Sequence, residues 1–277
     1  MSVYKPRAST LGVLFGKPKA IIGVIHSRPL PGAPAYDGEP MDAIYDYAVR
    51  EAARYAEGGM DGLIVENHGD IPFAKPEDLG PETPAGMAVM ADRVRRESGL
   101  PVGINVLANG ALPALAIAKA AGAVFVRVNQ WANAYVANEG IIEGPAARAT
   151  RYRAWLRAGG VRIFADVHVK HGAHAITADR SIPELTRDVE FFDADVAIVT
   201  GQRTGDRATR EEISIIKGAT DLPVVVGSGV NDANVGEILA LCDGVIVASS
   251  LKRDGVWWNE VDPERVRRFM DRARSAS

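Results

Sequence analysis

Eight times along the chain a short β-branched run is followed, after a loop, by a longer segment with helical spacing of apolar residues. The runs are 20–26 (AIIGVIH), 62–67 (GLIVEN), 101–107 (PVGINVL), 124–130 (VFVRVNQ), 164–171 (FADVHVKH), 196–201 (VAIVTG), 223–229 (PVVVGSG) and 244–251 (GVIVASSL). Helices are expected over 42–57, 84–97, 112–121, 145–157, 182–192, 209–217, 232–241 and 263–274. Strictly alternating strands and helices point to a parallel sheet, because parallel neighbours are joined through a crossover. Eight such units in about 250 residues match a closed (β/α)8 barrel. The competing architecture is an open doubly wound sheet, but no strand here opens into a GxGxxG turn. The chain therefore reads as one α/β barrel domain, residues 19–277, behind a basic, loose leader, residues 1–18.

Loop lengths identify the working face. Helix-to-strand connections are short, as in SGL, AGA and TDL, whereas several strand-to-helix connections are long. Long loops carry function, and barrel enzymes place their sites where the strands end. The formal charge of −3 argues against nucleic acid or an anionic membrane as the main partner. No apolar run is long enough to span a bilayer, and the single Cys242 fits a reducing compartment, so a cytoplasmic protein is expected. A homo-oligomer is compatible with all of this.

The fifth run carries the most chemistry. If it is a strand throughout, Asp166, His168 and Lys170 share one face, because side chains two apart point the same way. An imidazole between a carboxylate and an ammonium can exchange a proton near neutral pH. Lys170 is also a candidate Schiff-base nucleophile. The alternative is that Lys170 points to solvent or to a phosphate while Asp166 and His168 form a buried pair.

Glu66, Asn67, His68 and Asp70 follow the second run. Glu66 is a candidate acid or base, or, with Asp166, a holder of Mg²⁺; its structural alternative is an ion pair with Arg127. No HxH, HExxH or CxxC spacing is present, which argues against zinc. Asn67, Asn105, Arg127 and Asn129 are candidates for substrate binding, and His26 is a further catalytic candidate at the end of the first run. Gly227, Ser228 and Gly229 end the seventh run, and Ser249 and Ser250 lie at the end of the eighth. Loops at these two places commonly cradle phosphate in barrels, since glycine lets backbone N–H groups approach an oxyanion. The alternative is a tight turn with serine helix caps.

Taken together, IIGVIHSRPLPGAP, DGLIVENHGD, PVGINVL, FVRVNQ, EGIIEG, ADVHVKH, IVTG, PVVVGSGV and DGVIVASSLKRDG resemble the BtpA/SgcQ family over residues 18–270. The resemblance implies a barrel related to phosphate-binding enzymes. One branch of that family is known as a photosystem I biogenesis factor, and another sits among sugar-metabolism proteins. The chain departs from the family pattern at Ser27 and Arg28, at 138–140, and at 172–174, which bears on substrate more than on fold. The function expected is acid/base chemistry of a lyase, isomerase or glycosyl type on a phosphorylated sugar or nucleoside-like molecule. The alternative is a non-catalytic assembly factor.

Overall fold

The computed structural model describes residues 9–201 and 208–275. Residues 1–8 of the expected leader and 202–207 of the GQRTGDRA loop lie outside the described residues. The chain runs α1 (Thr10–Phe15), β1 (Ala20–His26), α2 (Met41–Gly58), β2 (Gly62–Glu66), α3 (Glu82–Ser98), β3 (Val102–Asn105), α4 (Ala111–Ala121) and β4 (Phe125–Val128). It continues through β5 (Ala134–Ala137), β6 (Gly140–Glu143), α5 (Ala146–Trp155), β7 (Arg162–Asp166), α6 (Ile182–Phe191) and β8 (Val196–Val199). The last elements are α7 (Arg210–Ala219), β9 (Val224–Val226), α8 (Val235–Leu239), β10 (Gly244–Val247) and α9 (Pro263–Arg274).

Eight strands pair in parallel around a closed barrel in the order β1-β10-β9-β8-β7-β4-β3-β2. The expected barrel is therefore the fold. Residues facing outward from the strands pack with the helices into one large apolar core that includes Ile25, Val65, Ile104 and Val226. Residues facing inward form a second core of Ile22, Val24, Ile64, Phe125, Phe164 and Ile198. Because side chains alternate, the next inward position after the last of these on each strand is two residues on. Those positions are His26, Glu66, Arg127, Asp166 and Thr200, so the barrel is filled with hydrocarbon below and with polar groups at the ends where the strands finish.

Local chemistry sets the element ends. Ser181 and Glu184 form a reciprocal capping box at α6, and Asp262 accepts from Glu264 N and Arg265 N at α9, satisfying N–H groups that the helix leaves open. Helix α2 stops at Gly59, whose φ of 86° suits a residue without Cβ.

Two expectations change. Part of the stretch expected to be a loose leader is helix α1, whose fully buried Leu11 joins the inner core and whose Phe15 packs edge-on to Phe125 at 6.0 Å. It closes the end of the barrel where the strands begin. The loop after β4 folds as an antiparallel hairpin, β5 with β6, around Asn138 and Glu139. Among the described residues, no helix is long and apolar enough to cross a membrane.

Candidate functional site

The fifth run is a barrel strand only as far as Asp166. It pairs in parallel with β4 and β8, so it lies inside the barrel wall and not at an exposed edge. Beyond Asp166 the chain turns, and Thr200 pins the turn by donating from Oγ1 to His168 O at 3.2 Å and accepting from Lys170 N at 3.2 Å. His171 then takes φ 64°, which ends any extended course. Asp166, His168 and Lys170 therefore do not line one strand face. His168 stacks on His174 with ring centroids 3.7 Å apart. Burial, and then the neighbouring His174, push its imidazole down to about 4, so it is neutral at pH 7.

Arg127 and Asp166 make a buried bidentate pair, with Nε to Oδ1 at 3.1 Å and Nη2 to Oδ2 at 3.0 Å. Asn129 Nδ2 also donates to Asp166 Oδ2 at 3.3 Å. Arg127 thus pairs with Asp166 rather than with Glu66, and both Asp166 oxygens are occupied, which disfavours the expected Glu66–Asp166 site for Mg²⁺. Asn105 donates to Arg127 O and to Asn129 Oδ1, while its own carbonyl oxygen is buried without a partner among the described residues. An acceptor in that state is suited to a ligand hydroxyl.

Glu66 belongs to a different group. His68 Nδ1 lies 3.1 Å and His26 Nε2 3.7 Å from Glu66 Oε1, and the two imidazoles stack at 4.4 Å. Burial works against charge on Glu66. The His68 hydrogen bond, with the fields of His68, His26 and Arg127, overcomes it and holds the carboxyl at about 2. Burial pushes His26 down to about 3 in spite of Glu66, leaving a neutral imidazole whose Nδ1 lies 3.2 Å from the Trp257 carbonyl oxygen. Trp257 and Phe73 wall the pair, with ring centroids 4.6 and 5.8 Å from that of His68.

Asn67, expected to bind substrate, has another task. It is fully buried, donating to Asp70 Oδ2 and Leu107 O and accepting from Leu107 N, and so fixes the turn that presents His68.

Lys170 extends to the turn after β9, with Nζ 3.4 Å from Ser228 Oγ. Burial and the nearby Arg127 lower the pKa of its amine, while Glu66 and Asp166 hold it up. Gly227 packs against the barrel interior: a Cβ there would lie 2.9 Å from Ile198 Cγ2 and 3.7 Å from Arg127 Nη2. Gly229 turns the chain at φ 69°. Ser250 donates to Val230 O at 2.7 Å, tying the two last loops together and using its hydroxyl proton, while Ser249 begins a single 3₁₀ turn after β10.

Sequence reasoning missed Thr200 and the buried Glu51–Lys252 pair. Glu51 accepts from Lys252 Nζ at 2.9 Å and from Val261 N, clamping both ends of the loop that carries Trp257. A carboxylate amid the buried Ala48, Ala52 and Tyr55 of α2 was the available signal. A surface hollow of about 390 Å³ between α5 and Phe191–Asp193 holds none of these groups.

Fold and site together define a (β/α)8 barrel whose polar residues converge where its strands end. Solved barrels share this fold: Mycobacterium tuberculosis tryptophan synthase has a TM-score of 0.61 at 18% identity, covering 98% of each chain. Thiamine phosphate pyrophosphorylase from Pyrococcus furiosus gives 0.58 at 17% identity, covering 94% of this chain and 98% of that one. At such identities the likeness concerns the fold alone. The model of the BtpA family matches residues 17–275, and the chain belongs to that family. An uncharacterised protein of Archaeoglobus fulgidus is 44% identical over 92% of this chain and 99% of its own length. The photosystem I biogenesis protein BtpA of Synechocystis is 40% identical over 91% of this chain and 86% of its own.

Proposed function

We propose that the chain is a cytoplasmic enzyme acting on a phosphorylated sugar or nucleoside-like small molecule by proton transfer, in a lyase, isomerase or glycosyl-type reaction. The observation that carries this is the half-buried Lys170 amine, 3.4 Å from Ser228 in the Gly227–Gly229 turn. A cation brought from one loop to a glycine-flanked hydroxyl on another, with Arg127 behind it, makes a receptacle for a phosphoryl group. Asn105 and Glu66 then border the rest of the ligand, the first offering an acceptor and the second a carboxylate.

The experiment is a thermal-shift screen against phosphorylated metabolites, with and without Mg²⁺. A ligand at a hundred times its Kd stabilises the native state by about 2.7 kcal/mol. Lys170→Met removes a charge-assisted hydrogen bond worth about 1.5–3 kcal/mol, so affinity is expected to fall roughly 10–150-fold. No shift with any phosphate compound, or an undiminished shift in Lys170→Met, defeats this function.

The name of the Synechocystis relative favours one second function, that of a non-catalytic assembly factor. In that case Lys170→Met is silent in an assembly assay while surface substitutions are not.

A further inference from the structure

His26, Glu66 and His68 bring two imidazole nitrogens and a carboxylate oxygen within 4.8 Å of one another. Around a four-coordinate ion with bonds of about 2.0–2.2 Å, neighbouring donors sit about 3.3–3.5 Å apart. The two separations to Glu66 Oε1, 3.1 and 3.7 Å, bracket that spacing. With all three donors within 4.8 Å of one another, an ion can be seated here by movements of about an ångström at side-chain ends.

Three further features prepare the cluster for such an ion. A metal-binding imidazole characteristically donates its other N–H to a carbonyl or carboxylate, which fixes the tautomer. His26 does this with the Trp257 carbonyl through Nδ1, leaving Nε2 with its lone pair toward Glu66. The turn that carries His68 is fixed, because Asp70 accepts from Leu30 N and from Asn67 Nδ2. The Trp257 and Phe73 rings border the donors with hydrocarbon, which limits competition from water.

We infer that His26 Nε2, the Glu66 carboxylate and His68 Nδ1 bind one divalent transition-metal ion of the Zn²⁺ class. Two nitrogens and one oxygen favour such an ion over Mg²⁺ or Ca²⁺, which take oxygen ligands. Three protein ligands leave at least one position for water or a substrate oxygen, which the ion would polarise. Motif spacing does not show this site, since His26 comes from the end of β1 and the other two donors from the end of β2 and the turn after it.

The test needs no substrate and is independent of the phosphate-site proposal. The full-length, tag-free chain is stripped with chelator, dialysed against Zn²⁺ or Co²⁺, and its metal content and Co²⁺ visible absorption are measured. One equivalent is expected, with the intense d–d bands of a four- or five-coordinate site and no displacement by an equal concentration of Mg²⁺. His68→Ala is the gentlest variant, because that side chain is a quarter exposed. It and Glu66→Gln are expected to weaken binding by more than the roughly 10–100-fold that loss of a supporting hydrogen bond costs. His174→Ala, at the other histidine stack, is expected to bind as the parent does. Uptake well below one equivalent, or equal affinity in His68→Ala and the parent, overturns the inference. Circular dichroism of each variant separates loss of the site from loss of the fold.

Discussion

Glu51→Ala is expected to lower the stability of the fold by about 3–5 kcal/mol, the usual cost of removing one partner from a buried ion pair. Glu51 and Lys252 are both fully buried, and among the described residues Glu51, at 2.9 Å, is the only hydrogen-bond partner of that ammonium, so the substitution strands a buried charge. For a chain this long each kcal/mol corresponds to about 2–4 °C in Tm. The loss of the Val261 N–H contacts would also free the loop that holds Trp257 over His26. The double variant Glu51→Leu/Lys252→Met is expected to recover most of the stability, because the buried ammonium is gone and Arg54, the other cation on Glu51, keeps Glu260 as a partner. Equal losses in the single and double variants would show that packing, not charge, is what Glu51 supplies.

Arg127→Met carries a comparable penalty, about 3–5 kcal/mol, since Asp166 keeps a buried carboxylate with only Asn129 as hydrogen-bond partner among the described residues. Here the consequence for the site is larger. The guanidinium lies behind Gly227 and lowers the pKa of Lys170, so its loss changes the charge at the proposed receptacle as well as the barrel wall. Arg127→Lys retains the charge but not the two-pronged geometry, so most of the destabilisation should persist. Denaturant unfolding gives the first effect, and ligand titration of whatever remains folded gives the second. If Arg127→Lys is as stable as the parent, the bidentate bond to Asp166 is not what secures the end of β4.

Much of this was legible without coordinates because a parallel barrel imposes a strict periodicity. Alternation along the strands placed His26, Glu66, Arg127 and Asp166 two residues beyond inward hydrocarbon, at one end of the barrel. Alternation holds only while the chain stays extended. At Asp166 it turns, so His168 went to His174 and Lys170 to Ser228, neither of which the two-residue rule anticipates. The histidine pair was invisible for another reason: His26 and His68 meet because β1 and β2 are adjacent, with His26 opposite Glu66 in register. Residues 201 positions apart, such as Glu51 and Lys252, leave even less local trace beyond one carboxylate on an apolar helix face. The hairpin after β4 and helix α1 were missed because each is short and takes its stability from the surface it covers.

Diffraction from crystals grown with a phosphorylated ligand found in the screen is the most direct test of the phosphate receptacle. The phosphorus is expected against the Gly227–Gly229 turn, within hydrogen-bonding distance of Ser228 and Lys170, with the remainder of the molecule toward Asn105 and Glu66. Phosphorus at the opposite end of the barrel near α1, or on the outer helices, would contradict it.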